Sequence, residues 1–345
     1  MKKMTFKEAL NLALRSEMEE DPGVFVFGLD VADHKGIFGS TDGLVEKFGK
    51  RRCFSTPLSE DAMTGVALGA ALCGLRPVHV HIRADFLMLA MNQITNMISC
   101  ANYLSNGKQK VPLVIRAVIG RGWGQGAQHS KTMQSIFAHI PGLKVVMPTT
   151  PQDAYSLLRA SIREDGPVIF LEHRWLYEVP GDVDPDKKEP LGKARVLRQG
   201  RNLSVIATSW LNVEALKAAE ILGRQGIEME VVDVRSVSPL DLETITSSAQ
   251  KTGHAIVADY DWVHCGLSAE IAALISRECF GSLKRPVERL GFAPVPCPTT
   301  RPLENLFYPS AATIIRTAEK MLDLKETDLS GEKFYSWEEK FKGPF

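Results

Sequence analysis

At 345 residues the chain is longer than one ordinary domain requires, and two packed units of about 150 residues each are expected, with volume for real cores. Lys+Arg and Asp+Glu stand at 41 each, with 24% charged and 44% hydrophobic residues. That composition suits a neutral globular protein and speaks against a nucleic-acid partner, which calls for a basic excess or stripe.

Residues Met1 to Glu8 lack an apolar signal core, and no stretch reaches the ~18 uncharged apolar residues that span a bilayer, so a cytoplasmic setting without membrane association is expected. The six cysteines form no CxxC pair and read as reduced thiols, which leaves neither a zinc site nor a disulfide framework indicated. Along the chain, short β-branched runs alternate with amphipathic stretches, the pattern of an α/β fold with mainly parallel sheets. Residues 5–19 predict a helix, with Phe6, Ala9, Leu10, Leu12 and Ala13 apolar, and 24–28 a buried strand. A Gly/Ala-rich helix over 61–75, a strand over 78–82, a long helix over 86–103 and a strand over 111–119 follow. Strands over 143–147 and 168–172 flank a helix over 151–163. The polar, Pro-containing stretch 181–200 predicts an interdomain linker. The alternation then restarts with strands over 203–208, 228–233, 255–259 and 286–290. Helices over 212–225, 241–251, 268–280 and 311–322 complete it. A charged aromatic tail closes the chain.

The strand ending at Ile119 opens onto a glycine-rich segment in which Gly122, Gly124 and Ala127 satisfy the GxGxxA form of a dinucleotide fingerprint. The acidic residue that should close the next strand and hold a ribose is missing, because residues 143–147 run into Pro148-Thr-Thr-Pro151. Nicotinamide binding is therefore not the expectation. Glycines in such a loop can instead let backbone approach a ligand closely, or make a mobile turn without a ligand.

Four segments together carry a resemblance: Thr56-Pro-Leu-Ser-Glu60; Ala84-Asp-Phe86 leading to Asn92-Gln-Ile94; Ala127-Gln-His129-Ser130 with Phe137-Ala-His139-Ile-Pro-Gly142; and Val231-Val-Asp-Val-Arg235 with Ser238-Pro-Leu-Asp241. In order and spacing the chain, over about residues 4–325, resembles the beta subunit of the thiamine-diphosphate-dependent first component of 2-oxoacid dehydrogenases, the pyruvate, branched-chain and acetoin group. The resemblance implies two mainly parallel-sheet α/β domains. Residues 1–180 would be a transketolase-like pyrimidine-binding domain, 181–200 a linker, 201–325 a transketolase C-terminal domain and 326–345 a tail.

The resemblance also implies roles. Thiamine diphosphate loses a proton from its thiazolium carbon with help from its own aminopyrimidine, once a carboxylic acid engages the opposite ring nitrogen. Glu60, ahead of a helix and in largely apolar surroundings, could share that proton near neutral pH. Leu58 and Phe86 would contact the cofactor, Phe86 flat against the pyrimidine. His129 corresponds to the family's active-site histidine, where an imidazole can move a proton. His139 is expected in a structural hydrogen bond, and His79 and His81 as packed or edge residues.

Magnesium binding in thiamine enzymes uses a Gly-Asp-Gly motif followed by paired asparagines, oxygen ligands for a hard ion. This chain has no such motif; Glu164-Asp-Gly166 is like it only superficially. Mg²⁺ and the diphosphate are therefore expected on an alpha subunit, in an α2β2 assembly, and a lipoyl-bearing acyltransferase is a further expected partner. The family also suggests K⁺ at Leu113, Ser161, Ile162, Glu164 and Gly166.

Two departures bear on the substrate. Leu29 stands where many members have a glutamate, and Arg83 where they have an apolar or aromatic residue. Arg83 and the loop residue Arg121 could hold a carboxylate or phosphate; Arg83 could equally be a surface arginine or pair with Asp85. The expected function is decarboxylation of a 2-oxoacid with acyl transfer to a lipoyl domain. A split transketolase-like enzyme, passing a two-carbon or acyl unit to an aldehyde or sugar, is the other reading.

Overall fold

The computed structural model describes residues 1–120, 124–332 and 334. It divides into two compact units: Met1–Ile119 with Ile136–Leu191 and Ser236–Pro239, and Gly120–Ser135 with Gly192–Arg235 and the chain from Leu240 onward.

The first unit begins with β1 (Lys2–Thr5) and α1 (Phe6–Glu20). Thr5 caps α1 reciprocally with Glu8, a box that satisfies two otherwise orphaned N–H groups. Next come β2 (Val24–Gly28), α2 (Leu44–Phe48), β3 (Cys53–Ser55), α3 (Glu60–Leu72) and β4 (Arg76–His81). The chain continues through α4 (Ala101–Leu104), β5 (Val114–Ile119), α5 (Gln134–Ala138, whose first two residues belong to the second unit), β6 (Lys144–Val146), α6 (Pro151–Arg163), β7 (Val168–His173) and β8 (Pro180–Val183). Six of these strands lie in the order β6, β7, β5, β4, β2, β3, all parallel. Their central members are buried on both faces, which is why they read as near-continuous apolar runs. Helices α1 and α6 pack together, and Glu17, fully buried on α1, pairs with Arg159 at 2.5 Å and with Arg163.

The long helix expected over 86–103 is not one helix. Residues Ala84–Ala90 form a 3₁₀ segment, Gln93–Ile98 a π turn and Ala101–Leu104 a short α-helix. The hydroxyls of Thr95 and Ser99 donate to the carbonyls of Met91 (2.6 Å) and Thr95 (2.8 Å) one turn back, and Ser99 N–H reaches Ile94 O, five residues back. Such bonds compete with regular helix, and apolar periodicity carries no sign of them.

Gly28 ends β2 against β4 so closely that a Cβ would stand 2.1 Å from the Val80 carbonyl oxygen. Gly28→Ala should therefore destabilise the first unit by about 1–3 kcal/mol, the usual cost of overpacking. Urea unfolding followed by circular dichroism would show it, and an unchanged midpoint would contradict this strand register.

The second unit contains β9 (Arg195–Arg198), β10 (Leu203–Ala207), α7 (Leu211–Gly223) and β11 (Met229–Asp233). The chain then gives β12 (Ser236–Ser238) to the first unit's sheet, antiparallel to β6. It resumes with α8 (Leu242–Thr252), β13 (Ala255–Trp262), α9 (Leu267–Glu278), β14 (Glu288–Phe292), α10 (Arg301–Phe307) and α11 (Ala311–Met321). The sheet order is β14, β13, β10, β11, β9, parallel except for β9. Within the stretch read as a linker, β8 pairs with β1 and β9 with β11, so both flanks are built into sheets. Among the described residues no helix is long and apolar enough to cross a membrane.

Candidate active site

In a parallel sheet, ligands gather where loops leave the carboxyl ends of the strands. Four residues singled out in the sequence lie on such connections in the first unit. The loop after β3 carries Leu58 and leads to Glu60, the first residue of α3; the turn after β4 carries Arg83 and Phe86. Leu58 is 72% exposed and Phe86 36% exposed, unusual for large apolar groups, and Glu60, two residues after Leu58, is half-buried. Helix α3 packs on β4 and on Ala84–Ala90, which brings these two connections together. Gln93 on the π turn donates to Asp61 at 3.4 Å, and its side chain lies against Gly65, where a Cβ would stand 3.5 Å away.

Beneath α3 lies a stack of rings. His79 faces Phe27 at a centroid distance of 4.6 Å, and its Nδ1 lies 3.5 Å from Thr64 Oγ1 and 3.3 Å from His81 Nε2. Burial pushes His79 well below the ordinary imidazole range, aided by His81, and pushes His81 down to about 4. Both rings are neutral at physiological pH and serve as packed floor for the helix that carries Glu60.

Arg83 is 4% exposed, which rules out a surface arginine, and Asp85 is buried too. His139 is exposed, and among the described residues its ring has no hydrogen-bond partner. Arg121 lies outside the described residues.

His129 belongs to the second unit, just after the short turn Gly126–Gln128, and is half-buried. Its segment is fastened by side chains. Thr132 Oγ1 donates to Tyr260 O at 2.5 Å, Gln134 Nε2 to Asp259 Oδ1 at 2.7 Å, and Ser135 Oγ to Asp261 Oδ2 at 3.2 Å. Gly126, at φ +64°, has no room for a side chain, since a Cβ would stand 2.5 Å from Thr299 Cγ2. Tyr260 in turn stacks on Tyr308 at 5.2 Å within a cluster that includes Trp262, Phe292 and Phe307.

The five residues suggested for K⁺ lie in the first unit, around the turn after α6. Arg76 Nη1 donates to the carbonyls of Ile162 and Glu164, both at 2.9 Å, and Leu113 O accepts from Val168 N–H at 2.9 Å. A guanidinium thus already supplies positive charge to two of the five. Among the described residues no cluster of three or more His, Cys, Asp or Glu is arranged to hold a metal ion.

Sequence reading passed over one buried assembly. Arg116 on β5 and Glu172 on β7, both fully buried, form a bidentate pair with Nε to Oε1 at 2.5 Å and Nη2 to Oε2 at 2.9 Å. Ser40 Oγ accepts from the arginine at 3.1 Å and Tyr177 donates to the carboxylate at 2.8 Å. Burial, reinforced by Glu172, holds the Tyr177 hydroxyl well above the ordinary phenol range, so it remains a donor. The available signal was a lone charge in each of two otherwise apolar strand runs.

Residues 2–180 match the family model of the transketolase pyrimidine-binding domain, and residues 192–314 that of the transketolase C-terminal domain. The chain is 40% identical over 332 residues to the beta subunit of acetoin:2,6-dichlorophenolindophenol oxidoreductase of Cupriavidus necator, covering 93% of this chain and 98% of that one. It is 42% identical over 313 residues to the 2-oxoisovalerate dehydrogenase subunit beta of Bacillus subtilis, covering 89% and 95%. It is 40% identical over 327 residues to the mitochondrial pyruvate dehydrogenase E1 component subunit beta-2 of Oryza sativa, covering 92% and 86%. A solved structure titled split gene transketolase, inactive beta4 tetramer, superposes with a TM-score of 0.76 at 26% identity, covering 94% of this chain and 99% of that one.

Proposed function

The chain belongs to the transketolase-type family of 2-oxoacid dehydrogenase E1 beta subunits, and from that premise we propose that it is one half of a thiamine-diphosphate-dependent enzyme acting on a 2-oxoacid. The observation that supports this most directly is the placing of Glu60 at the head of α3, at the carboxyl edge of the parallel sheet, beside large apolar side chains left half open. When bound, thiamine diphosphate supplies a carbon nucleophile and an electron sink for decarboxylation.

The chain's own residues would do the rest. Leu58 and Phe86 offer apolar and flat aromatic surface to the pyrimidine, and their exposure suits a ligand face. The Glu60 carboxyl holds or gives a proton at the pyrimidine nitrogen. His129 moves a proton near the reacting carbonyl, and Arg83, with Arg121, serves the substrate's carboxylate. The diphosphate and Mg²⁺ fall to an alpha subunit in an α2β2 assembly. Val66, Leu72, Leu89 and Met97, all exposed on α3 and the irregular segment packed against it, provide apolar area for a partner chain. A K⁺ ion at the 113, 161, 162, 164 and 166 carbonyls would have to share oxygens with Arg76. A lipoyl-bearing acyltransferase as acceptor and a cytoplasmic setting complete the proposal.

The second reading, a split transketolase, draws on the solved neighbour of that title and on Arg83, whose charge would suit a phosphorylated acceptor. Co-expression with a candidate alpha subunit separates the two. Thiamine diphosphate should bind the pair and not this chain alone, and the pair should reduce lipoamide or a dye with a 2-oxoacid. Carbon–carbon bond formation with an aldose and no lipoamide reduction would establish the transketolase-like reading, and turnover by this chain alone would overturn the split site.

A further inference from the structure

The carboxyl end of β13 holds two aspartates, Asp259 and Asp261, two residues apart and therefore on one side of the strand. They are 1% and 3% exposed. Both are tied to the segment that bears His129. Asp259 Oδ1 accepts from Gln134 at 2.7 Å and from Thr208 Oγ1 on the chain after β10 at 3.0 Å. Asp261 accepts from Ser135 at 3.2 Å through Oδ2 and from the Trp262 N–H at 2.8 Å through Oδ1. Thr132 makes a third tie to the Tyr260 carbonyl between them.

Other titratable groups on the surrounding elements include Tyr260 on the strand, Tyr308 stacked upon it, His129 and Lys131 on the segment, and Glu214 of α7 with Arg316 and Glu319 of α11, the two helices that also pack on β13. His264, Cys265 and Glu270 lie in and after the turn into α9, all exposed. Arg289 on β14 places its guanidinium on the Val263 carbonyl at 3.2 Å. The two aspartates differ in surroundings. Asp259 is raised by burial, but donors oppose that, among them Gln134, Thr208 and the backbone N–H of Ser268 at the start of α9. Asp261 is pushed up to about 7, first by burial and then by the charge of Asp259, with only Ser135 and the Trp262 N–H opposing. Burial and the closeness of a second carboxylate thus favour one proton held by the pair.

We propose that Asp259 and Asp261 act together as a positioning pair, fastening the His129-bearing segment to β13 while the two carboxyls hold one proton between them and loosening it when that proton leaves. Two buried anions side by side repel, and the cheapest relief is to let the segment lift and water in. The sign follows from linkage. Asp261 binds its proton more tightly when the segment is fastened, so fastening is strongest in acid, weakens as pH climbs from the ordinary carboxylate range toward 7, and levels off above it. Between pH 6 and 8 the equilibrium for fastening should fall about tenfold.

The test is amide hydrogen exchange of the full-length chain across pH 6 to 8, corrected for intrinsic rates, read at residues 124–135 and at β10 as a reference. Protection of the segment should fall with pH while that of β10 stays constant, and Asp261→Asn, which removes the charge, keeps one acceptor oxygen for the Trp262 N–H and lets its amide donate to Ser135 Oγ, should flatten the response. Asp259→Asn, which removes the neighbouring charge but not the burial, should move the response to lower pH without abolishing it, and serves if the first variant does not fold. A wild-type segment whose protection does not change over this range would overturn the proposal, as would an Asp261→Asn protein with the wild-type response. The inference rests on the proposed function only in its second arm: in the reconstituted pair, kcat should decline above neutrality in wild type and less so in Asp261→Asn, with KM little changed. Inactivity of the pair toward any 2-oxoacid would count against that function and leave the exchange result standing.

Discussion

Glu60→Gln in the reconstituted two-subunit enzyme should lower kcat by about 10²–10⁴-fold, the usual contribution of a positioned acid or base. Glutamine keeps the length and the hydrogen-bonding end of the side chain but cannot take up or release a proton. The loss should therefore fall on kcat, while calorimetric binding of thiamine diphosphate to the pair stays within a few-fold of wild type. Because Glu60 sits in the first turn of α3, where a carboxylate also favours the helix N-terminus, the variant must be shown to unfold at an ordinary temperature. The macrodipole effect is about 0.3–1 kcal/mol, too small to unfold the unit, so a folded, cofactor-binding and inactive variant identifies the proton role. Retention of more than a tenth of wild-type kcat would remove Glu60 from the mechanism.

The second large effect is on stability. Glu172→Ala would leave the fully buried Arg116 guanidinium without its carboxylate, and breaking a buried pair from one side costs about 3–5 kcal/mol. Changing both partners, as in Arg116→Met with Glu172→Leu, should cost much less, because an apolar pair of similar size has no charge left to solvate. Urea unfolding of the wild type, Arg116→Met, Glu172→Leu and the double variant forms the cycle that checks this, with Glu172→Ala measured beside it. If the double variant is as unstable as Glu172→Ala alone, the pair contributes by shape and not by charge. Ser40 and Tyr177 would both lose a partner in the double variant, so it is not expected to recover the wild-type value fully.

The central strands were legible because burial on both faces leaves near-continuous apolar runs, as in β2 (Val24–Gly28), β5 and β10. The edges were not. Strands β1, β8, β9 and β12 are three or four residues long, half exposed or polar, and owe their conformation to partners remote in sequence such as Lys2 with Val183. The irregular stretch after β4 was likewise hidden, since hydroxyl groups bonding one turn back do not disturb the spacing of apolar residues. At the candidate site, Glu60 and Phe86 could be found because short motifs surround them. Asp259 and Asp261 could not, because strict alternation in a strand gives their side but not the helix end and the segment that close over them.

Strand β12 has a bearing on how the molecule can be made and cut. It comes from residues 236–238 yet completes the sheet built by residues up to 173, so a ribosome has already made β10 and β11 of the second unit before the first sheet has its outer strand. Until then β6 is an open edge, able to pair with another copy. Expression of residues 1–191 alone would make that condition permanent, which marks the polar stretch after β8 as a poor place to divide the chain despite its composition.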